Sequence, residues 1–523
     1  MFRVLAADSI AKEGMAALEK ESGVSVIYGS VEDVQDPESI DALVVRSATK
    51  VTKELLSLFH NIRIVARAGV GVDNIDIDAA TQRGVLVINA PDGNTISTAE
   101  HTFAMIMAIL RKIPQANQSI KEGKWNRSSF TGAELSGKVL GIVGLGRIGT
   151  ELAKRARAFG SKVQVFDPFL TTERAKTLQV VPVTLDELLE SSDIITVHTP
   201  LTKETKNLIN TENLSKTKQG VYLINCARGG ILDEEALYAY LSNGHIAGCA
   251  LDVFVQEPAV ENRLVHLPNV IATPHIAAST AEAQMNVAAQ VAKEILTFSK
   301  GKPVKNAVNL PAVSNDDFQK IYPYYELAKV SGQFLSQSFS SPIKEIKITF
   351  AGTITELDTG LVSRGLLSGF LQPRVDRIVN DINATLIAKE QGFSFGEKYS
   401  TETQGYENII EARVIGETES FSLQSTYING YGPRVVNING YSTDFVPEGF
   451  LVYIEHVDKP GVIGRVGKLL GDLEVNIAAM QVGRKMAGGE AIMMLTFDKE
   501  LDQDVLLRIK ELSDVVSATT INL

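Results

Sequence analysis

Residues 138–167 read KVLGIVGLGRIGTELAKRARAFGSKVQVFD. An apolar run of strand length leads into Gly144-Leu145-Gly146-Arg147-Ile148-Gly149, an amphipathic helical stretch follows, and a second strand-like run ends on Asp167. Glycines alone mark any tight turn. A buried strand before them and a helix after them is the context that a dinucleotide-binding turn requires. Gly144, Gly146 and Gly149 let the backbone approach a pyrophosphate, whose charge then rests on the helix N-terminus. Asp167 lies 18 residues past Gly149, where a carboxylate can take the two hydroxyls of an adenosine ribose. An acid there repels a 2′-phosphate, so NAD is expected rather than NADP. The stretch therefore predicts a doubly wound parallel α/β domain.

The same alternation extends in both directions. FRVLAA (2–7), ALVVRS (42–47), IRIVAR (62–67), VLVINA (85–90), DIITVHTP (193–200), GVYLINCA (220–227), HIAGCALDVF (245–254) and NVIATP (269–274) read as strands between helical segments. With the two strands of the opening stretch they make ten, better divided between two parallel sheets than held in one. STAEHTFAMIMAILRKI (97–113) reads as a helix crossing between the two domains, and AEAQMNVAAQVAKEILTFSKG (281–301) as the helix that carries the chain back. KGKPVKNAVNLPAVS (300–314) is a linker. Residues 315–446 then suggest two or three helices, around 317–338 and 361–390, followed by strands such as IKEIKITFAG, IIEARVIG, FSLQSTYI and RVVNINGY. The last 75 or so residues follow a β-α-β-β-α-β order, which suits a ferredoxin-like sandwich.

A chain of 523 residues implies about three or four domains. A formal charge of −11 argues against nucleic acid or an anionic membrane as the main partner. Two cysteines, Cys226 and Cys249, form no disulfide framework and suit the cytoplasm. The N-terminus lacks a basic segment leading into a long apolar run, so neither secretion nor membrane spanning is expected. No metal is expected.

Ligands of open parallel sheets bind beyond the carboxyl ends of the strands. Four such ends carry polar residues: VHTP, NCARGG, DVFVQEP and TPHIAAS. Hydride transfer to a nicotinamide from a hydroxy acid needs one group to hold the carboxylate and another to move the hydroxyl proton. Arg228 precedes no bulky neighbour, only two glycines that leave room for a ligand. Glu257 precedes a proline, and His275 follows one. Local pattern leaves each with a plain structural alternative, and His198 and His101 compete with His275 on spacing alone.

The ordered phrases VRSATKV, RAGVGVDNID, GNTISTAEH, GLGRIG, VHTPL, NCARGGILDE, ALDVF, EP and PHIAAST resemble the D-isomer-specific 2-hydroxyacid dehydrogenases, and among them the long members with a regulatory domain. The resemblance covers essentially the whole chain. It implies a flavodoxin-like substrate domain (1–97 plus 286–310), a Rossmann NAD domain (98–285), an intervening α+β domain (311–446) and a ferredoxin-like ACT domain (447–523). It further implies NAD-dependent oxidation of 3-phospho-D-glycerate to 3-phosphooxypyruvate, the first step of L-serine biosynthesis, by a cytoplasmic homodimer or homotetramer. Glycerate, hydroxypyruvate and D-lactate are the alternative substrates, and a non-enzymatic NAD sensor is the alternative class.

By that resemblance His275 is the general acid/base, Glu257 orients it, and Arg228 binds the substrate carboxylate. Arg147 and Ile148 lie at the diphosphate and Asp167 at the ribose. Thr199, Cys226, Ala227, Asp252 and Ala278 line the path to the nicotinamide, and His198 belongs to the cofactor wall. Val70 and Gly71 offer amides to the carboxylate, with Asn94 nearby. Arg46, Lys50 and Arg67 are expected to hold the phosphate, joined by Arg127 from the same or a partner subunit. Ala277 stands where the family often has glycine, and its methyl is expected to narrow the nicotinamide pocket. In the ACT domain, HVDKPGVIGRV and VNIAA place His456, Asp458 and Asn476 at positions that hold L-serine across a domain pair in serine-regulated relatives.

Overall fold

The computed structural model describes residues 1–523, the side chain of Asn315 excepted. The first sheet has five parallel strands in the spatial order Val24–Tyr28, Phe2–Ala6, Ala42–Val45, Ile64–Arg67, Leu86–Asn89. Its central strands are buried on both faces, as the continuous Val/Ile/Ala runs require. Val24–Tyr28, at the edge, is only half-buried throughout and carries no strong periodicity, which is why the sequence reading passes over it.

The second sheet has seven parallel strands. The dinucleotide strand Val139–Val143 lies centrally, flanked by Lys162–Phe166 and Ile194–Val197. Winding proceeds outward from it in both directions, so a crevice opens at its carboxyl end. Val181–Pro182, an exposed two-residue edge strand, is likewise absent from the sequence reading. Helix Thr95–Arg111 packs on helix Arg147–Ala158 and strand Ile246–Leu251, whereas helix Ala281–Ser299 packs back on Lys12–Glu19 in the first domain. The returning chain locks there: Ala307 bridges Ile88, and Asn309 Oδ1 accepts from the Val87 amide at 2.9 Å.

The helical stretch expected over 361–390 forms two helices, Gly360–Leu371 and Ala384–Glu390, with a 3₁₀ turn at Gln372–Arg374 between them, so that with Asn315–Ser338 the third domain has three. Pro373 lacks an amide and crowds the turn before it. One expectation for this domain is corrected: the run RVVNINGY does not form one strand, because Asn439 and Gly440 both adopt positive φ and turn the chain into a hairpin between Gly432–Ile438 and Tyr441–Phe445. The six-stranded sheet is antiparallel except where Ser394–Ser400 adds parallel to Ile343–Gly352.

The last sheet runs in the order Ile477–Arg484, Glu490–Phe497, Phe450–Val457, Val515–Asn522, the ferredoxin-like arrangement. Helices Val462–Asp472 and Gln503–Lys510 belong to its own core. Leu451, Tyr453, Ile492, Met494 and Ile521 share a core with Phe334 and Phe421 of the preceding domain, so these two domains are packed face to face. Among the described residues, no helix is long and apolar enough to cross a membrane.

Candidate active site

Gly144 adopts φ +95°, and a Cβ there would fall 2.8 Å from the His198 carbonyl oxygen, so the turn requires glycine. Gly146 faces open space at the N-terminus of helix Arg147–Ala158. Asp167 closes the turn: its Oδ2 accepts from the Leu145 amide at 2.7 Å, and its Oδ1 from the Phe169 amide at 2.8 Å. Its second lone pairs remain for a ribose. Thr199 Oγ1 and His198 Nδ1 are buried without a partner. Burial pushes His198 down to about 4, so the ring is neutral, with Nε2 3.0 Å from Thr196 Oγ1. The glycine cradle, the free helix end and the unpartnered Thr199 hydroxyl fit NAD. Arg147, exposed beside Ile148, pairs across the cleft with Asp92 at 2.5 Å.

Three strand ends bring the remaining groups together. Buried Asn225 shapes the first: its Oδ1 accepts from the Ala227 amide (3.0 Å), and its Nδ2 donates to the Arg228 carbonyl (2.8 Å). Cys226 lines this turn as a thiol, because burial and then Asp252 push it up to about 12. Arg228 reaches the first domain, donating from Nε to Asp73 Oδ2 at 3.0 Å and from Nη1 to the Ala227 carbonyl at 2.7 Å. A Cβ on Gly71 would fall 1.8 Å from Arg228 Nη2, so any side chain there would push the guanidinium out of this position.

The second and third ends carry Glu257 and His275. His275 Nδ1 lies 2.8 Å from Glu257 Oε2, while Glu257 Oε1 accepts from the Phe254 amide at 3.1 Å. His275 has φ 55°, an uncommon conformation for a side chain with a Cβ. The support is Asp252. Completely buried, it accepts from Thr273 Oγ1 (2.5 Å) and from the amides of Ile276 and Ala277 (2.9 Å each), with His101 Nε2 3.4 Å away. Burial opposes its charge, but the bonds from His101, Thr273 and the two amides hold its carboxyl below the ordinary value. Asp252 thus grips the His275 loop from beneath, and Ala278 lies half-buried just beyond. The expectation for Ala277 is corrected: the residue is 5% exposed and belongs to the apolar core of this domain, because Asp252 draws its amide inward.

At the facing loops of the first domain, Arg46 and Arg67 lie near Arg228. Burial, then Arg46 and Arg228, lower Arg67 to about 10, with Asp8 and Asp73 opposing. The Val70 carbonyl is fixed by Asn89 Nδ2 at 2.7 Å, and Asn94 carries a buried Oδ1 without a partner. Lys50 and Arg127 are exposed. Asp8, Asp73, Asn74 and Asn225 are neighbours of these groups absent from the sequence reading, whereas His101, there a competitor of His275, turns out to stand beside Asp252. The four are short polar residues whose partners lie on other loops or strand ends, apart from Asn225, whose partners are two or three residues away.

The three effector candidates are not gathered within one chain. Buried His456 places Nδ1 3.1 Å from the Val457 carbonyl and leaves Nε2 unpartnered. Asp458 accepts from Arg484 Nη1 (3.0 Å) and from the Gly488 amide (3.2 Å), which hold its carboxyl low. Asn476 bonds Asp498 at the opposite end of the sheet, roughly 20 Å away at a strand's rise per residue.

Residues 103–277 match the D-isomer specific 2-hydroxyacid dehydrogenase NAD binding domain, residues 320–439 the D-3-phosphoglycerate dehydrogenase intervening domain, and residues 450–514 the ACT domain. The chain is 56% identical to the D-3-phosphoglycerate dehydrogenase of Bacillus subtilis, over all of both chains. It is 44% identical to that of Archaeoglobus fulgidus, again over all of both. Among solved structures, the D-lactate dehydrogenase of Aquifex aeolicus complexed with NAD and lactic acid aligns with a TM-score of 0.52 and 33% identity, covering 59% of this chain and 100% of that one. The chain therefore belongs to the D-3-phosphoglycerate dehydrogenase family, the long, ACT-bearing form of the NAD-binding D-isomer specific 2-hydroxyacid dehydrogenases.

Proposed function

We propose that the enzyme oxidises 3-phospho-D-glycerate to 3-phosphooxypyruvate, the first step of L-serine biosynthesis. The observation that carries this reading is the convergence of Arg46, the largely buried Arg67 and Arg228 at the cleft. Three like charges kept close together in partial burial call for an anion of more than one charge. A phosphorylated hydroxy acid supplies one at each end.

NAD, when bound, accepts the hydride from the substrate carbon. Arg228 presents Nη2 to the carboxylate and the developing carbonyl, its other nitrogens being engaged by Asp73 and Ala227. His275 takes the hydroxyl proton on Nε2, since Nδ1 faces Glu257. Glu257 fixes the ring plane and offsets the imidazolium charge as it forms. Arg46 and Arg67 hold the phosphate, with Lys50 and Arg127 joining from the rim. Val70, Gly71 and Asn94 contact the carboxylate end. Arg147 and Ile148 serve the diphosphate, Asp167 the ribose, and Thr199, Cys226, Ala227, Asp252 and Ala278 the approach to the nicotinamide.

The enzyme works in the cytoplasm as a homodimer or homotetramer. Exposed Ile113, Ile120 and Trp125, within thirteen residues of one another in the chain, support self-association. The separation of Asn476 from His456 and Asp458 supports an L-serine site completed only between two ACT domains. An NAD-linked assay on 3-phosphoglycerate, D-glycerate and D-lactate, with and without L-serine, tests the reading. Preference for an unphosphorylated acid would overturn the substrate, and indifference to serine would overturn the effector. The D-lactate reading has the likeness of the two catalytic domains behind it, and the same assay decides it.

A further inference from the structure

The two loops that carry the phosphate-binding arginines are joined by one side chain. Asn74 Nδ2 donates to the carbonyls of Arg46 (2.7 Å) and Thr49 (2.6 Å), and its Oδ1 accepts from Arg67 Nε at 3.0 Å. The backbones are zipped at the same place: the Val51 amide donates to the Asn74 carbonyl at 2.8 Å, and the Asp76 amide to the Val51 carbonyl at 2.9 Å. Asp8 holds the first loop from the other side, its Oδ2 accepting from the Arg46 amide at 2.7 Å. Loops 46–51 and 67–76 are thus one bonded unit. The residue before Asn74 grips the third cation, because Asp73 Oδ2 accepts from Arg228 Nε at 3.0 Å across the cleft.

We propose that the dipeptide Asp73-Asn74 sets the distance between the carboxylate anchor and the phosphate anchors, and so selects a phosphorylated three-carbon acid over its unphosphorylated counterpart. This rests on the substrate reading above. The two residues have separable jobs. Asn74 aims Arg67 and fixes the backbone of Arg46, groups that only a phosphorylated substrate engages. Asp73 aims Arg228, which every 2-hydroxyacid substrate engages, so both are positioning residues and touch no reacting atom themselves. Gly71 completes the arrangement, since any side chain there would displace Arg228 Nη2.

The test compares kcat/KM for 3-phosphoglycerate and for D-glycerate in wild type, Asn74→Ala, Asp73→Ala and Asp73→Asn, with NAD binding followed by calorimetry. Asn74→Ala should lower the phosphoglycerate value on the order of tenfold, the size expected from losing hydrogen bonds that aim charged groups. Its D-glycerate value should stay within about twofold. Asp73→Ala should lower both values by similar factors, and Asp73→Asn, which keeps an acceptor for Arg228 Nε, should recover much of that loss. If Asn74→Ala fails to bind NAD, Asn74→Asp keeps the acceptor, removes the two donors and takes its place. Equal losses on both substrates, or intact phosphate preference, in the Asn74 variant would overturn the inference alone. A wild-type enzyme indifferent to the phosphate would overturn the reading of the arginines and the inference with it.

Discussion

Nδ1 of His275 lies 2.8 Å from Oε2 of Glu257, although the two residues stand 18 positions apart on separate loops. The loops begin where neighbouring parallel strands end, since Ile246–Leu251 pairs directly with Val270–Ala272. Register brings them together, and Asp252 between them holds one in place.

His275→Ala should lower kcat by about 10²–10⁴-fold, the usual range for a lost general acid/base. Glu257→Gln should cost less and should change the pH profile of kcat/KM, because the ring loses its charge partner. Steady-state rates across pH check both, and an unaltered kcat for His275→Ala would remove it from the mechanism.

Asp252→Asn should lower kcat more than it weakens NAD binding, because one of its two accepting oxygens becomes an N–H facing the loop's donors. A buried donor left facing another donor costs about 1–3 kcal/mol. Melting temperature and NAD titration separate the two effects. Equal loss of catalysis and cofactor affinity would mean that Asp252 chiefly contacts the cofactor.

Stability should depend on His198. Its folded-state value near 4 lies below the ordinary 6.5, so between these values the unfolded chain binds a proton that the folded chain excludes. The contribution is fully present above pH 6.5 and declines as pH falls toward 4, by at most about 3 kcal/mol. Melting curves of wild type and His198→Gln over that window should diverge, the variant being flatter. Parallel curves would show that acid destabilisation arises elsewhere.

Asp167→Ala should weaken NAD binding and narrow the preference over NADP, by about tenfold for loss of a charge-assisted pair of bonds. Because Asp167 also bonds the Leu145 amide, the turn itself should loosen and KM for NAD should rise. Unchanged discrimination between the two cofactors would place it in the turn only.

Arg46→Ala should raise KM for phosphoglycerate far more than KM for NAD. Equal rises would mean that Arg46 only braces the loop that Asp8 and Asn74 already hold.

Much of this was legible locally. The glycine turn, the apolar parallel strands and the order of motifs depend on neighbours within a few residues, so their signals survive in one dimension. Edge strands such as Val24–Tyr28, Val181–Pro182 and Ser394–Ser400 escape because partial exposure erases the apolar run, and Pro373 divides the helical stretch over 361–390 in two. Ala277 was misread for another reason: whether its methyl faces a pocket or the core depends on Asp252, 25 residues away.

By itself the sequence determined the chemistry available: a glycine-rich strand-to-helix turn, an acid at the end of the next strand, and an arginine, a glutamate and a histidine at strand ends. Only the tertiary structure decided how those groups are held. Asp73, Asn74 and Asp252 look like ordinary loop and strand-end polar residues in the chain, because a hydrogen bond carries no sequence periodicity when its partner comes from another loop or another domain. Parallel strands finish side by side whatever their separation along the chain. There these three residues join the anchors into one rigid site.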